Sequence, residues 1–301
     1  MKRGALVMAY GTPATIDDVE TYYTDIRGGR PPSQELLDEL TQRYRAIGGR
    51  SPLLEITRSQ AAGIQERVEG LSSYVGQKHA APFISEAVAR MRDDGIEEAV
   101  GLVLAPHYSA MSVGDYERRA RSAAEEHGWN GTFTMIDSWH LEERFVALLA
   151  SRVADALGRL SERARQEAVV VFTAHSLPTS ILEHGDPYPE QLQQTADAVA
   201  ARAGLERWQI GWQSAGRTTV PWIGPDLLDI LVELAAKGVP GVAVCPCGFV
   251  ADHLEVLYDV DIEAKALAFD LEIEMERTES PNDDPRFLEM LAGVVVRAFE
   301  R

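Results

Sequence analysis

The stretch VVVFTAHSLP, residues 169–178, places a histidine where an apolar segment ends. The run from Val169 to Phe172 is uninterrupted and mostly β-branched, which is typical of a central strand covered on both faces. In open α/β sheets, ligands bind beyond the carboxyl ends of the strands. His175 therefore has the position and the chemistry of a metal ligand or a proton acceptor, whereas a buried histidine with satisfied hydrogen bonds is the structural alternative.

Three carboxylates are regularly spaced in the segment DHLEVLYDVDIE, residues 252–263. If this segment is helical, Glu255, Asp259 and Glu263 share one face at positions i, i+4 and i+8, where like charges cost roughly 0.2–0.5 kcal/mol per pair. A shared divalent cation relieves that repulsion, and a solvated acidic face is the alternative. His253 lies about 200° around such a helix from Glu255 and is expected not to share its role.

Segments with strand character alternate with segments of helical periodicity along the chain. Strands are predicted at 4–10, 72–77, 98–106, 132–138, 168–175, 207–214, 241–249 and 270–278. Helices are predicted at 33–46, 53–70, 82–94, 112–127, 141–160, 189–203, 226–237 and about 284–300. This alternation indicates an α/β fold with parallel sheets flanked by helices on both faces.

Four strands followed by four strands predict two similar domains with a cleft between them. The first is expected to contain 1–139 plus 279–301, with the last helix returning to it, and the second 140–278. Polar residues gather at the predicted carboxyl ends of the strands: Tyr10, Lys78, His79, His107, His175, Gln213, His253 and Glu255. His175 and Glu255 are predicted to face each other in the cleft. A histidine–carboxylate pair placed in this way suits Fe(II)-like ions.

Composition and charge exclude several classes of protein. The net charge is −18, from 29 Lys and Arg against 47 Asp and Glu, which argues against a nucleic-acid partner. No apolar run approaches the ~20 residues that span a bilayer, and the apolar stretch near the N-terminus is too short for a signal peptide. A cytoplasmic enzyme is therefore expected. No dinucleotide fingerprint, phosphate loop or G-x-S-x-G motif is found in the sequence.

Two local features bear on ligands. The first 60 residues are balanced in charge, and five of their arginines fall within 24 residues: Arg27, Arg30, Arg43, Arg45 and Arg50. This cluster could accept an anionic small molecule, whereas a mixed-charge surface is the alternative. Cys245 and Cys247 are the only cysteines, so they are predicted to be small buried residues.

Ten segments of the chain, in order, resemble the ferrochelatase family. They are LVMAYGTP (6–13), YYTDIRGGRPP (22–32), RYRAIGGRSPL (43–53), GQKHAAPFISEAV (76–88), LAPHYS (104–109), TAHSLP (173–178), GDPYPEQL (185–192), WQSAGRT (212–218), PWIGPD (221–226) and GFVADHLEVLYD (248–259). The resemblance implies two Rossmann-like domains around a porphyrin cleft and insertion of Fe2+ into a porphyrin. It also implies that His175 and Glu255 are the catalytic residues and contact the metal.

The remaining site residues follow from the same resemblance. Asp259 and Glu263 match an acidic row associated with an outer metal site, which would hold Mg2+ or another divalent ion. Tyr10 matches a tyrosine that faces the macrocycle and can ligate product iron. The positions that hold or surround the propionates are matched by Arg27, Arg43, Tyr44, Ser51 and Tyr116.

Tyr10 resembles the coproporphyrin III branch of Gram-positive bacteria, since the protoporphyrin branch usually has methionine there. The resemblance thus implies a lyase-class enzyme that makes coproheme in haem biosynthesis. Some relatives carry a [2Fe–2S] cluster on four cysteines, and with only two no cluster is expected. No other tightly bound cofactor is expected, Fe2+ being a substrate.

Three alternatives stay open at this point: a protoporphyrin IX ferrochelatase, a non-catalytic porphyrin or haem carrier, and a related chelatase that loads cobalt into a corrin precursor. The expected partners are the porphyrin and Fe2+. We further expect a monomer without a membrane span that makes transient contact with the next enzyme of the haem pathway.

Overall fold

The computed structural model describes residues 1–216 and 218–300 of the 301-residue chain. Its strands are β1 (Arg3–Ala9), β2 (Leu71–Gln77), β3 (Glu98–Val103), β4 (Thr132–Ile136), β5 (Val169–His175), β6 (Trp208–Gln213), β7 (Gly241–Cys245) and β8 (Glu274–Arg277). They form two parallel sheets with the orders β2-β1-β3-β4 and β6-β5-β7-β8. The second half therefore repeats the strand order of the first, and the predicted fold class is confirmed.

Helices connect the strands in both halves. They are α1 (Val19–Ile26), α2 (Gln34–Ala46), α3 (Leu53–Arg67), α4 (Ile84–Asp93), α5 (Val113–His127), α6 (Glu143–Arg159), α7 (Glu162–Gln166), α8 (Ser180–Glu183), α9 (Tyr188–Ala203), α10 (Leu227–Ala236), α11 (Leu254–Leu257), α12 (Lys265–Asp270) and α13 (Pro285–Ala298). A 3-10 turn at Ile16–Asp18 precedes α1, and a π-helical segment at Asp259–Ala264 joins α11 to α12.

Every predicted strand is present, but several were predicted too long. The strand expected at 270–278 covers only Glu274–Arg277, because residue 270 still belongs to helix α12, and the strand expected at 132–138 ends at Ile136. The strands expected at 98–106 and 241–249 end at Val103 and Cys245. Pro106 and Pro246 lie just beyond those ends, and proline has no N–H to donate to a sheet. Helix α1 was not predicted, and neither were the short helices α7, α8 and α12.

The acidic segment does not form the single helix that its spacing suggested. His253 has an extended backbone, with φ −158°, and only then does the four-residue helix α11 begin. The backbone next widens into the π-helical segment, which carries Asp259 and Glu263. The predicted angular position of His253 relative to Glu255 was therefore wrong, because His253 lies outside the helix.

The C-terminal helix α13 packs on α3 and α6. Asp284 caps its first turn by accepting a hydrogen bond from Arg286 N, and Pro285 is the first helical residue. Its buried face carries Phe287, Leu291 and Val295 at a spacing of four residues. The domain boundaries at 139/140 and 278/279 stay a prediction.

The interior is apolar in both halves. The strands β1 and β5 are buried along most of their length, as their uninterrupted apolar runs predicted. Both cysteines are fully buried and unpaired, as predicted. Within the described residues, no helix combines the length and apolarity that crossing a membrane requires.

Candidate active site

The site is centred on His175, the last residue of β5, and Glu255 in α11. His175 Nε2 lies 3.7 Å from Glu255 Oε1, and both side chains are about one-third exposed, 33% and 30%. His175 Nδ1 donates a hydrogen bond to the carbonyl of Ser176, because a carbonyl oxygen can only accept. In the neutral ring this leaves the Nε2 lone pair free to accept a proton or bind a metal ion.

His253 is a second imidazole at this carboxylate. Its Nδ1 donates to the carbonyl of Ala251 at 2.9 Å, and its Nε2 lies 3.4 Å from Glu255 Oε2. Burial lowers the pKa of His253, but the contacts with Glu255 and Ala251 outweigh burial and raise it overall. His253 therefore contacts the carboxylate from which its expected helical position would have separated it.

Glu255 is held in its ionised form. Burial by itself raises the pKa of a carboxyl group, but His175, His253 and Arg43 outweigh this effect and lower the pKa of Glu255 to about 2. The carboxylate therefore keeps its charge throughout the neutral range. It is a weak base and carries a permanent negative charge.

A cleft of about 640 Å³ extends from this pair, within the size range of small-molecule sites. Of the residues predicted to face the porphyrin, Tyr10, Tyr44, Ser51 and Tyr116 line it together with His175 and Glu255. Burial raises the pKa values of Tyr10 and Tyr116, and it raises the pKa of Tyr44 to about 12. The phenols therefore stay neutral and present flat, apolar faces with a hydroxyl at the edge.

The two predicted arginines lie outside the cleft lining. Arg27 is at the rim, with its guanidinium 5.8 Å from the ring centre of Tyr23, which does line the cleft. Arg43 points instead to the acidic segment, with Nη1 3.3 Å from Asp259 Oδ1. A buried carboxylate attracts the guanidinium, so the contact of Arg43 with a propionate stays a prediction.

A smaller pocket of about 140 Å³ lies beside the cleft. It is lined by Arg43, Ser214, Asp259 and Glu263, among others, so the acidic row passes from the cleft into this pocket. Ser214 Oγ donates to Asp259 Oδ2. Residues 1–216 and 218–300 contain no cluster of three or more histidine, cysteine or acidic side chains able to hold a metal ion, so an ion here would keep water ligands.

Asp259 differs from Glu255 in its ionisation. Burial raises the pKa of Asp259 to about 6, helped by the charge of Glu255 and opposed by Ser214 and Arg43. Its side chain is only 9% exposed. Two carboxylates four residues apart are thus driven in opposite directions by their surroundings.

Lys78, His79 and His107 were noted in the sequence because they follow predicted strands, and no role was assigned to them. Lys78 lines the cleft and forms an ion pair with Asp115. His107 also lines it, with Nε2 2.9 Å from Thr195 Oγ1, and burial lowers the pKa of His107 to about 3. His79 does not line the cleft but binds Asp25 at 2.6 Å and packs on the ring of Tyr10 at 4.7 Å.

Trp222 was not predicted as a site residue and appeared in the sequence analysis only within the segment PWIGPD. Its ring centre lies 6.2 Å from that of His175, and it lines the cleft. The chain forms this contact by pairing Pro178 with Trp222 in an isolated bridge. Only the return of the chain between β6 and α10 brings the indole to the histidine.

The fold of this chain is shared with solved structures of chelatases. The structure is similar to that of the sirohydrochlorin chelatase SirB from Bacillus subtilis subspecies spizizenii in complex with cobalt, with a TM-score of 0.62. The identity is 12%, and the match covers 100% of this chain and 96% of that one. SirB from Bacillus subtilis with Fe3+ gives a TM-score of 0.63 at 12% identity, covering 99% and 95% of the two chains. At this identity the likeness concerns the fold alone.

Sequence comparison gives the family. The family model Ferrochelatase matches residues 2–299. The chain is 48% identical over 301 residues to a coproporphyrin III ferrochelatase of Geobacillus kaustophilus, covering 98% of this chain and 95% of that protein. It is 46% identical over 307 residues to the one of Bacillus subtilis, covering 100% and 99%. The chain belongs to the ferrochelatase family.

The raised pKa of Asp259 predicts a pH-dependent stability. The folded protein holds this proton up to about pH 6, whereas the unfolded chain releases it near pH 3.8. Stability from this group is therefore present below pH 4 and lost as the pH rises through 6, by about 3 kcal/mol. In metal-free buffer, Asp259→Asn should gain stability relative to the wild type between pH 4 and 7. Urea unfolding measures the difference in free energy of unfolding between Asp259→Asn and the wild type. A difference that stays constant from pH 4 to 7 would contradict the raised pKa.

Proposed function

We propose that this protein inserts Fe2+ into coproporphyrin III, releasing two protons and producing coproheme for haem biosynthesis. The observation that carries the proposal is an identity of 46–48%, over nearly the full length of both chains, to relatives named coproporphyrin III ferrochelatase. The enzyme is accordingly a metal chelatase of the lyase class.

The reaction exchanges two protons for one dication. The free-base macrocycle loses two pyrrole N–H protons, its four nitrogens bind Fe2+, and no electron is transferred. A cleft whose shape favours a bent ring stabilises the transition state over the flat substrate. The cleft must therefore supply a proton acceptor and an anionic group that attracts the metal.

The geometry supports a division of these tasks between the two central residues. Because its pKa is about 2, Glu255 is a poor proton acceptor at neutral pH but a permanent ligand for a dication. His175 has a free Nε2 directed toward the same point, 3.7 Å from the carboxylate. We assign the proton transfer to His175 and the metal contact to both residues.

The opposite wall holds the macrocycle. Tyr10, Tyr44 and Tyr116 offer ring faces for an aromatic ligand, and Tyr10 is 41% exposed at the cleft. Its neutral phenol is positioned to ligate iron once the ring is metallated. The visible spectrum of bound ferric product should change in Tyr10→Phe, and an identical spectrum would remove Tyr10 from the coordination sphere.

The rim of the cleft is assigned to the propionates. Ser51 and Tyr44 line the cleft, and Arg27 lies next to lining residues. Arg43 reaches a propionate only if it leaves Asp259, so we assign it a shared role between substrate and acidic pocket. A further support for this assignment is that all four residues lie in or beside the segment from α1 to α3.

The small pocket is proposed to bind a second divalent ion such as Mg2+. The support is the proximity of Asp259 and Glu263 in one pocket beside the cleft. Loss of activation by the ion in the Asp259→Asn, Glu263→Gln double variant, with an unchanged porphyrin KM, is the expected result. Unaltered metal kinetics in this variant would refute the second ion site.

The other expectations belong to the same proposal. We propose a cytoplasmic monomer with domains at 1–139 plus 279–301 and 140–278, and a transient contact with the next haem enzyme. Cell fractionation tests the location, light scattering the monomer, limited proteolysis the domains and crosslinking the contact with the next enzyme.

A porphyrin carrier is the second candidate function, since a carrier would need only the cleft. A carrier binds stoichiometrically without turnover.

His175→Ala tests the catalytic assignment. Loss of the proton acceptor should lower kcat about a hundredfold or more, because general acid–base groups contribute on this scale. Porphyrin binding should change less than threefold, since the aromatic wall is untouched. The exposed His184, which bonds only its own helix, provides a control in His184→Ala. Steady-state insertion of Fe2+ with unchanged kcat in His175→Ala would refute the assignment.

Coproporphyrin III should be preferred over protoporphyrin IX. It carries four propionates instead of two, and each charge-assisted hydrogen bond contributes about 1.5–3 kcal/mol, so two unpaired sites lower kcat/KM ~100-fold or more. Arg27→Met should lower the ratio of kcat/KM for coproporphyrin III to kcat/KM for protoporphyrin IX, because it removes a propionate contact. Competition between the two porphyrins at fixed Fe2+ measures the ratio. An equal or higher kcat/KM for protoporphyrin IX would overturn the preference while leaving metal insertion intact.

A further inference from the structure

A buried amide connects the two central residues of the site. Gln213 is the last residue of β6, is paired in register with His175, and is only 2% exposed. Its Oε1 accepts a hydrogen bond from Thr173 Oγ1 at 2.8 Å. Its Nε2 donates to the main-chain carbonyl of Glu255, also at 2.8 Å.

This side chain therefore spans two elements. Thr173 lies two residues before His175 on the same strand and is fully buried. The main-chain carbonyl of Gln213 also accepts from Ser176 N at 2.8 Å, so the strand end is held on both sides of His175. One glutamine thus holds the backbone around His175 on one side and the backbone of Glu255 on the other.

The helix that carries Glu255 cannot fix its own position. Helix α11 has four residues, and isolated turns of this length are unstable because nucleation is costly. It is preceded by the extended residue His253 and followed by the π-helical segment. Contacts from other elements must therefore hold Glu255 in place: the packing of Leu254 and the buried Val256, and the hydrogen bond to the Glu255 carbonyl.

The next residue supplies a second hydrogen bond to the same segment. Ser214 has φ 60°, an unusual value for a residue other than glycine, and its Oγ donates to Asp259 Oδ2. Backbone strain of this kind persists only where the surroundings enforce it. Two consecutive residues at the end of β6 thus hold the acidic segment at Glu255 and at Asp259.

We propose that Gln213 is a positioning residue that sets the separation of His175 and Glu255 through its bonds to Thr173 and to the Glu255 carbonyl. This inference rests on the proposed function, because the spacing matters for insertion of a metal between the two side chains. A displacement of about 1 Å can cost a hundredfold in rate. Gln213 acts through its neighbours and does not itself touch the substrate.

The hydrogen bond from Thr173 can be removed without changing shape. Thr173→Val removes the donor and keeps the volume, whereas Thr173→Ser keeps the donor and loses a methyl group. Gln213→Met removes both amide bonds. We expect Thr173→Val and Gln213→Met to lower kcat for Fe2+ insertion tenfold or more, with porphyrin KM within threefold, and Thr173→Ser to stay within twofold of the wild type. The double variant should be no slower than Gln213→Met, since both changes break one connection.

Gln77→Met is the matched control. Gln77 ends β2, the counterpart of β6 in the first sheet, and it is fully buried. Its Nε2 donates to the carbonyl of Ala81 at 2.6 Å, within its own loop. Losing this amide should lower stability as Gln213→Met does, but leave kcat within threefold.

The comparison of Thr173→Val with Thr173→Ser tests the proposal even if Gln213→Met does not fold. If Thr173 had only a structural role, the order of kcat would be reversed: Thr173→Ser would be impaired by its lost methyl group, and Thr173→Val would be tolerated. That order, or a wild-type kcat in Thr173→Val, overturns the proposal. A crystal structure of Thr173→Val should show His175 Nε2 and Glu255 Oε1 farther apart than 3.7 Å. If the wild type inserts no metal, the proposed function fails, and an unchanged spacing in that crystal would separately refute the positioning role.

Discussion

A carboxylate kept ionised between two imidazoles is the constraint on which the site depends. Burial would neutralise Glu255, and a neutral acid would have no attraction for a dication. His175 and His253 prevent this from opposite sides, at 3.7 and 3.4 Å. One imidazole comes from the end of a strand and the other from the residue before a helix. The two elements, together with Arg43, thus keep the pKa of the carboxyl group low despite its burial.

The two halves contribute different chemistry to one cleft. The first half presents phenol rings, which stay neutral because burial raises their pKa values. The second half presents His175, His253 and Glu255 beside the rings of Tyr188 and Trp222, whereas the first half adds the polar side chains of Lys78 and His107. Since both sheets have the same strand order, this difference arises from the residues at the strand ends and not from the topology.

The acidic row shows how a short change in backbone geometry separates two roles. Glu255 faces the cleft, whereas Asp259 and Glu263 line the adjoining pocket. The pKa of Glu255 falls to about 2 and that of Asp259 rises to about 6. The carboxylate beside the cleft is a fixed charge, whereas the neighbouring one changes its charge near neutral pH. The change from helix α11, which carries Glu255, to the π-helical segment, which begins at Asp259, gives each side chain its own surroundings.

The fold and the centre of the site could be predicted from the sequence, because they depend on local patterns. Uninterrupted apolar runs mark buried parallel strands, and the strand-end rule then places His175 and Glu255 in one cleft. Segments resembling a known family supplied the aromatic wall in the same way. These features are encoded within ten or so residues each.

Only the tertiary structure decided which groups the central residues meet. His253 contacts Glu255 because helix α11 begins after it, and no periodicity in the sequence announces that boundary. Arg43 turns to Asp259, 216 positions away, because a buried carboxylate needs a cation. Gln213 reaches both Thr173 and Glu255 across a sheet edge. Charge compensation and hydrogen bonding between distant segments act only after the chain has folded. The sequence alone therefore determined the fold and the meeting of His175 and Glu255 in one cleft, whereas tertiary packing determined the ionisation of Glu255 and the spacing of the two side chains.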